Sequence, residues 1–166
     1  MTTRLMSWIQ RAQDAETVEN PSLWLLADGA HTGGALGANR LRLAPGTAGA
    51  LPHVHHLSSE AFYVLDGKLE MLVDDTVHVF GQGDYVVVAP GVSHAFGAAP
   101  DASADLFITI APGIDRFPYF RLLPRVLAGE LSDADIATIH TEYDVHFVES
   151  PAWNDRGERP GAQRSS

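Results

Sequence analysis

Short runs of alternating or continuous apolar residues follow one another from about residue 23 to residue 110. Gly, Pro and Asp separate them, in APG, DG, DD and GQGD. An apolar period of two is typical of half-buried strands, and no helical spacing intervenes. The pattern predicts an all-β domain, a sandwich or a jelly-roll barrel. The runs are Leu23–Leu26, Asn39–Leu43, Glu60–Leu65, Leu69–Val73, Thr76–Phe80, Tyr85–Val88 and Leu106–Ile110.

The apolar spacing changes after Pro112. The segments PYFRLLPRVLAGEL and SDADIATIHTEY carry Leu, Ile and aromatic residues three and four positions apart, as amphipathic helices do. Ser132 with Asp135 three residues later is a capping-box-like start, and Ile136 and Ile139 define an apolar stripe. We therefore expect one or two C-terminal helices packed on the barrel.

The length and composition favour one domain. The chain has 166 residues, of which 45% are hydrophobic and 19% charged, enough to bury a core. We divide it into an N-terminal arm, a β-barrel, a helical segment and a polar tail that we expect to be flexible. These parts span residues 1–20, 21–112, 113–150 and 151–166.

Charge and cysteine content limit the partners. The formal charge is −10, from 11 Lys and Arg against 21 Asp and Glu, so a phosphate backbone would be repelled and nucleic acid is not expected. The sequence contains no cysteine, which removes disulfides and thiolate ligands. Polar residues interrupt each apolar stretch of the first twenty residues, and no run is long enough to span a membrane. We expect a cytoplasmic protein without a membrane partner.

Three histidines and one glutamate form a candidate metal site. His53 and His55 are two positions apart, so on a strand both imidazoles share one face, about 7 Å apart. Glu60 begins an apolar strand after the turn HLSS, and this strand is expected to pair back beside the histidines. His94 follows a strand and the turn at Pro90–Gly91, which can return the chain to the same cavity.

Three imidazoles and one carboxylate suit one divalent transition metal: iron, nickel, manganese, cobalt, copper or zinc. One or two coordination positions then stay open for water, dioxygen or substrate. Glu60 has a second possible role as a catalytic general base, because a carboxylate beside a cation in a dry cavity is placed to take a proton from a bound hydroxyl.

At these residues the chain resembles the cupin superfamily, whose two motifs appear in the right order. The resemblance implies a cupin jelly-roll β-barrel with the four residues as metal ligands. HTGGAL and TEYDVHFVESP also look like single-domain bacterial cupins similar to quercetin 2,3-dioxygenase. The first motif comprises His53, His55, Glu60 and Gly67; the second runs from Gly83 through Pro90–Gly91 to His94.

This resemblance implies a metal-dependent dioxygenase acting on a small aromatic or polyphenolic, flavonol-like compound. One alternative is a metal-dependent cyclase, isomerase or decarboxylase of a polyketide-like metabolite; another is a non-enzymatic small-molecule-binding cupin. Small cupins commonly pair, so we expect a homodimer. The apolar segment FPYFRLL is either its contact or a lid over the barrel mouth, and Trp8 and Ile9 are candidates to join it.

The other aromatic and histidine residues have simpler explanations. Five phenylalanines are candidates for a substrate pocket, together with Tyr119, although aromatic residues in a small barrel are mostly core. His56 alternates away from His53 and His55, which indicates a turn-side or supporting role. The remaining histidines are expected to be packed or surface residues. The pocket candidates are Phe62, Phe96, Phe107, Phe117 and Phe120; the remaining histidines are His31, His78, His140 and His146.

Overall fold

The computed structural model describes residues 7–158. Within that range, ten strands form two antiparallel sheets around one core, accompanied by four short or medium helices. The strands are β1 (Glu16–Val18), β2 (Ser22–Ala27), β3 (Gly37–Leu43), β4 (Ala48–Val54), β5 (Ser59–Val73), β6 (Thr76–Gly81), β7 (Tyr85–Val88), β8 (His94–Ala98), β9 (Ala104–Ala111) and β10 (His146–Phe147). The helices are α1 (Gly29–Thr32), α2 (Phe117–Leu127), α3 (Asp133–Glu142) and α4 (Pro151–Asn154), with 3-10 turns at Ala12–Asp14 and Asp155–Glu158.

Strand β5 belongs to both sheets. Its first half pairs with β7 and β9, and its second half pairs with β6 and β8. The sequence predicted two strands, Glu60–Leu65 and Leu69–Val73, but the chain continues as one strand through a register shift beyond Val64. Gly67 permits this passage: its φ is +80°, and a Cβ there would lie 1.9 Å from the carbonyl oxygen of Ser103.

The core lies between the inward faces of the sheets, as the alternating pattern predicted. β2 and β3 alternate buried residues with more exposed ones along their length. Phe62, Leu69, Met71 and Leu106 are completely buried at its centre. The prediction of an all-β jelly-roll barrel with C-terminal helices is confirmed.

Helix α2 lies against the barrel through its aromatic residues. Tyr119 is buried, and Phe117 and Phe120 pack on the core. Helix α3 begins as predicted, because the hydroxyl of Ser132 accepts a hydrogen bond from the backbone N–H of Asp135. In the part of the chain that is described, no helix has the length and apolar character that crossing a bilayer requires.

The segment after residue 150 corrects our division of the chain. We assigned residues 151–166 to a flexible tail, but residues 151–158 are helical and Trp153 is only 1% exposed, beside Leu72 and Ala95. The guanidinium of Arg156 covers the indole ring at 3.9 Å. Burial of this one large side chain anchors an otherwise polar segment. Residues 1–6 and 159–166, to which the arm and tail predictions also apply, lie outside the described residues.

Candidate metal centre

The structure brings the four predicted ligands together inside the barrel. His53 lies near the end of β4, His55 one residue beyond it, Glu60 near the start of β5, and His94 at the start of β8. All four side chains are buried, and one ligand atom from each lies within 4.8 Å of the others. The group can therefore hold one metal ion.

The strand order corrects one expectation about this site. Glu60 was expected on a strand paired beside the histidine strand. Instead β8 lies between β5 and β4, and His94 of β8 pairs directly with His53 of β4. Glu60 therefore reaches the histidines from a strand of the barrel wall that does not pair with β4.

Each imidazole is oriented by a backbone carbonyl at its Nδ1. A carbonyl oxygen can only accept a hydrogen bond, so Nδ1 carries a proton and Nε2 is the nitrogen that faces the site. A metal would bind through Nε2, with the ring orientation fixed by the outer hydrogen bond. The accepting carbonyls belong to Leu51 for His53 (2.7 Å), Asp144 for His55 and Val92 for His94 (3.1 Å).

The electrostatics of the site also fit a cation. Burial, together with the nearby His94, lowers the pKa of His53 to about 3, so this imidazole is neutral at pH 7. Burial alone would raise the pKa of Glu60, but hydrogen bonds to its Oε2 from Nε2 of His55 (3.3 Å) and His94 (2.9 Å) hold that pKa well below its ordinary value. The carboxylate is therefore ionised. A divalent ion that binds here takes the place of the Nε2 protons between the carboxylate and the imidazoles.

Asp144 holds the loop that carries His55, and the sequence analysis did not identify it. Its carboxylate accepts hydrogen bonds from the backbone N–H groups of His56 and Leu57, both at 2.9 Å, while its own carbonyl accepts from His55. Asp144 is 4% exposed and has a φ of +54°. The segment TEYDVHFVESP resembles single-domain bacterial cupins, but no pattern in it predicts a structural role for its aspartate.

A cavity opens beside Glu60, and a second unpredicted residue, Arg116, lines it. It is a small recess: about 240 Å³ of space lies within it when the open solvent at its mouth is included, and about 10 Å³ of that admits the centre of a water molecule. Arg116 is 6% exposed, and its Nη1 lies 3.7 Å from Oε1 of Glu60. The described residues around the cavity are Ala27, Asp28, Gly37, Ala38, Asn39, Glu60, Ile108, Ile110, Ile114, Arg116 and Phe120.

Asp28 fixes the position of Arg116. Its carboxylate accepts hydrogen bonds from the backbone N–H of Arg116 at 2.6 Å and of Phe117 at 3.2 Å, at the start of α2. The segment FPYFRLL therefore begins beside the cavity, with Phe120 in the cavity wall, and its role as a lid or as a dimer contact stays a prediction. No local sequence signal distinguishes Arg116 from a surface arginine.

The predicted aromatic pocket is only partly present. Phe120 lines the cavity, whereas Phe62 and Phe96 pack together in the core at 4.9 Å, and Phe117 contacts His31. Phe107 corrects the prediction: it is 37% exposed because it alternates with the buried residues of β9 and faces outward. It pairs with Tyr63, which pairs with Tyr85, and we call these three the outer aromatic row.

The other histidines lie outside the metal group. His56 is exposed, with its ring against that of His146 at 4.3 Å, and it supports the site through its backbone N–H to Asp144. His31 stacks under Trp8 with 3.7 Å between ring centroids. His78 is exposed, and His140 packs on Phe147.

Residues 39–110 match the family described as the cupin domain. This part of the barrel is similar to a cupin domain. The match begins in β3 and ends in β9, so it includes all four candidate ligands. The segments that supply Asp144 and Arg116 lie beyond it. No curated protein matches the chain significantly.

Solved structures share the fold of this barrel at low sequence identity. KdgF from Halomonas sp. is 16% identical, with a TM-score of 0.56 over 64% of this chain and 94% of that one. The polyketide cyclase RemF from Streptomyces resistomycificus is 17% identical, with a TM-score of 0.53 over 64% and 80%. The nucleoside dehydratase Pac13 is 14% identical, with a TM-score of 0.53 over 67% and 87%. At these identities the likeness shows the fold alone.

Proposed function

We propose that this protein is a metal-dependent enzyme that acts on a small oxygen-bearing metabolite. The observation that carries this proposal is the meeting of three imidazoles and an ionised carboxylate in a buried site beside a cavity. A structural ion needs no adjacent space, whereas a reactive one needs an approach for the substrate.

The reaction that we propose first is dioxygenation of an aromatic or polyphenolic, flavonol-like compound. Both atoms of dioxygen enter the product, so no separate reductant is needed. The ion, when bound, supplies Lewis-acid chemistry and, for a redox-active metal, activation of dioxygen. Glu60 takes the proton of the substrate hydroxyl. Its Oε2 contacts the imidazoles while its Oε1 faces Arg116, so one oxygen is directed toward the cavity wall.

A second candidate is a cyclase, isomerase or decarboxylase that consumes no dioxygen. The Glu60–Arg116 pair favours it, because a base beside a buried cation suits proton abstraction next to a carbonyl. RemF and Pac13, which share the fold, are a cyclase and a dehydratase. A non-enzymatic binding cupin is the third possibility, and the cytoplasmic location stays a prediction.

Metal analysis followed by oxygen uptake tests the proposal. We expect about one ion per chain, as one four-ligand site requires, lost in His53→Ala and His94→Ala and kept in the control His78→Ala, which alters an exposed histidine. With the identified metal restored, oxygen consumption with flavonols supports the first reaction. Anaerobic turnover supports the second. If both site variants kept their full metal content, these residues would not form the metal site.

Glu60→Gln separates metal binding from chemistry. The amide oxygen still approaches the ion but accepts no proton at neutral pH, so turnover per bound metal should fall by roughly 10²- to 10⁴-fold while metal content falls only partly. Near wild-type turnover per metal would leave Glu60 as a ligand and contradict its role as a base.

A further inference from the structure

Arg116 is a buried cation with few partners in the wall of the cavity. Its Nε is fully enclosed, and no atom of residues 7–158 accepts a hydrogen bond from it. The distance of 3.7 Å from its Nη1 to Glu60 exceeds a normal hydrogen bond. A buried charge is costly unless it is both paired and hydrogen-bonded, so this guanidinium is suited to an acceptor supplied from outside the protein.

The nearest carboxylates do not provide that acceptor. Asp28 accepts the backbone N–H groups of residues 116 and 117 with its two oxygens, one each. Glu60 directs one oxygen to the imidazoles of the metal group. Neither carboxylate forms a hydrogen bond with the guanidinium.

The guanidinium is also held in a fixed orientation. Its Cζ lies 5.8 Å from the ring centres of both Tyr119 and Phe120, and the backbone of Arg116 is anchored by Asp28. Such preorganisation lowers the entropy cost of binding a ligand. Asn39, buried on the inward face of β3, adds a second polar group to the same wall.

We propose that Arg116 binds a carboxylate group of the substrate, which narrows the substrate class from flavonol-like compounds, which carry no carboxylate, to small hydroxy- or oxo-carboxylic acids, phenolic acids among them. This inference rests on the proposed function, in which another oxygen of the substrate reaches the ion. The guanidinium and a divalent ion, set against Glu60 and Asp28, leave one positive charge in excess, which a monoanion neutralises. Arg116 is also the one cation among the described cavity-lining residues, which favours a carboxylate over a doubly charged phosphate.

Matched probes test this inference by binding. Salicylate and salicylamide share a phenol and a ring, but only salicylate carries the carboxylate. We expect calorimetric titration of the metal-loaded protein to show that salicylate binds roughly 10- to 100-fold more tightly, the range of a charged hydrogen bond. Arg116→Gln should lose this preference at unchanged metal content. The control Arg125→Gln, which alters a half-exposed arginine of α2, the helix that follows Arg116, should keep it.

Each outcome decides the matter. Equal binding of the two probes by the wild type would overturn the inference, and so would a preference that survives in Arg116→Gln, because the ion alone would then take the carboxylate. If Arg116→Gln does not fold, Arg116→Lys retains the charge without the planar fork and should keep a reduced preference; an unchanged preference contradicts us. Failure of the proposed function is read separately, from metal content and turnover of the same samples.

Discussion

Replacement of Asp144 by alanine should weaken both the fold and the metal site, although no ligand is altered. The substitution removes two hydrogen bonds from backbone N–H groups to an ionised carboxylate. At about 1.5 kcal/mol each, the low end for charged acceptors because His56 and Leu57 are exposed to water, their loss costs about 3 kcal/mol. Alanine at a φ of +54° adds roughly 1–2 kcal/mol.

Asp74→Ala is a matched control for the backbone term. Asp74 has the same φ of +54°, but it lies exposed in the turn between β5 and β6. Urea unfolding of the metal-free proteins should therefore place Asp144→Ala about 3 kcal/mol below Asp74→Ala. Because the segment around Asp144 orients His55, metal affinity should fall about 10- to 100-fold in Asp144→Ala alone. Equal stability and equal metal affinity of the two variants would refute the role of this residue.

Three further predictions concern other parts of the molecule. Burial would raise the pKa of Asp105, but hydrogen bonds from Arg40 and Arg42 hold that pKa below the ordinary 3.8. The ionised Asp105 therefore stabilises the fold above this pH. Asp105→Asn should cost about 1 kcal/mol at pH 7 and progressively less as the pH falls below 3.8. Trp153→Ala should lower the free energy of unfolding by about 3–5 kcal/mol in urea titrations, whereas Trp8→Ala, at a 44% exposed site, should cost much less. The homodimer stays a prediction. We expect sedimentation to show a dimer, and we expect Tyr63→Glu, in the outer aromatic row, to convert it to a monomer. A wild-type protein that is monomeric at high concentration would contradict this prediction.

The sequence predicted most of the barrel because strand alternation is a local property. The predicted apolar runs agree closely with the bounds of four strands, β2, β3, β6 and β7. β5 was divided in two at Asp66–Gly67, because a glycine that permits passage between two sheets looks the same in sequence as one that ends a strand.

The ligand set could be predicted because its residue types and spacing are themselves the signal. The supporting residues could not. The roles of Arg116 and Asp144 depend on contacts with Asp28 and with the loop after His55, each 87 to 89 positions away in sequence. A single arginine or aspartate beside a helix is usually solvated, so its burial becomes visible only when the tertiary structure is known.

The separation between His55 and Asp144 has a consequence for how the proposed site would acquire a metal during synthesis. All four ligands have been translated once residue 94 is complete, but the carbonyl that orients His55 is added only at residue 144. Contacts so distant in sequence form late, because the intervening chain must first be ordered. A nascent chain that ends before Asp144 would bind an ion loosely and exchange it readily. The C-terminal segment would then complete the site only after the barrel has emerged.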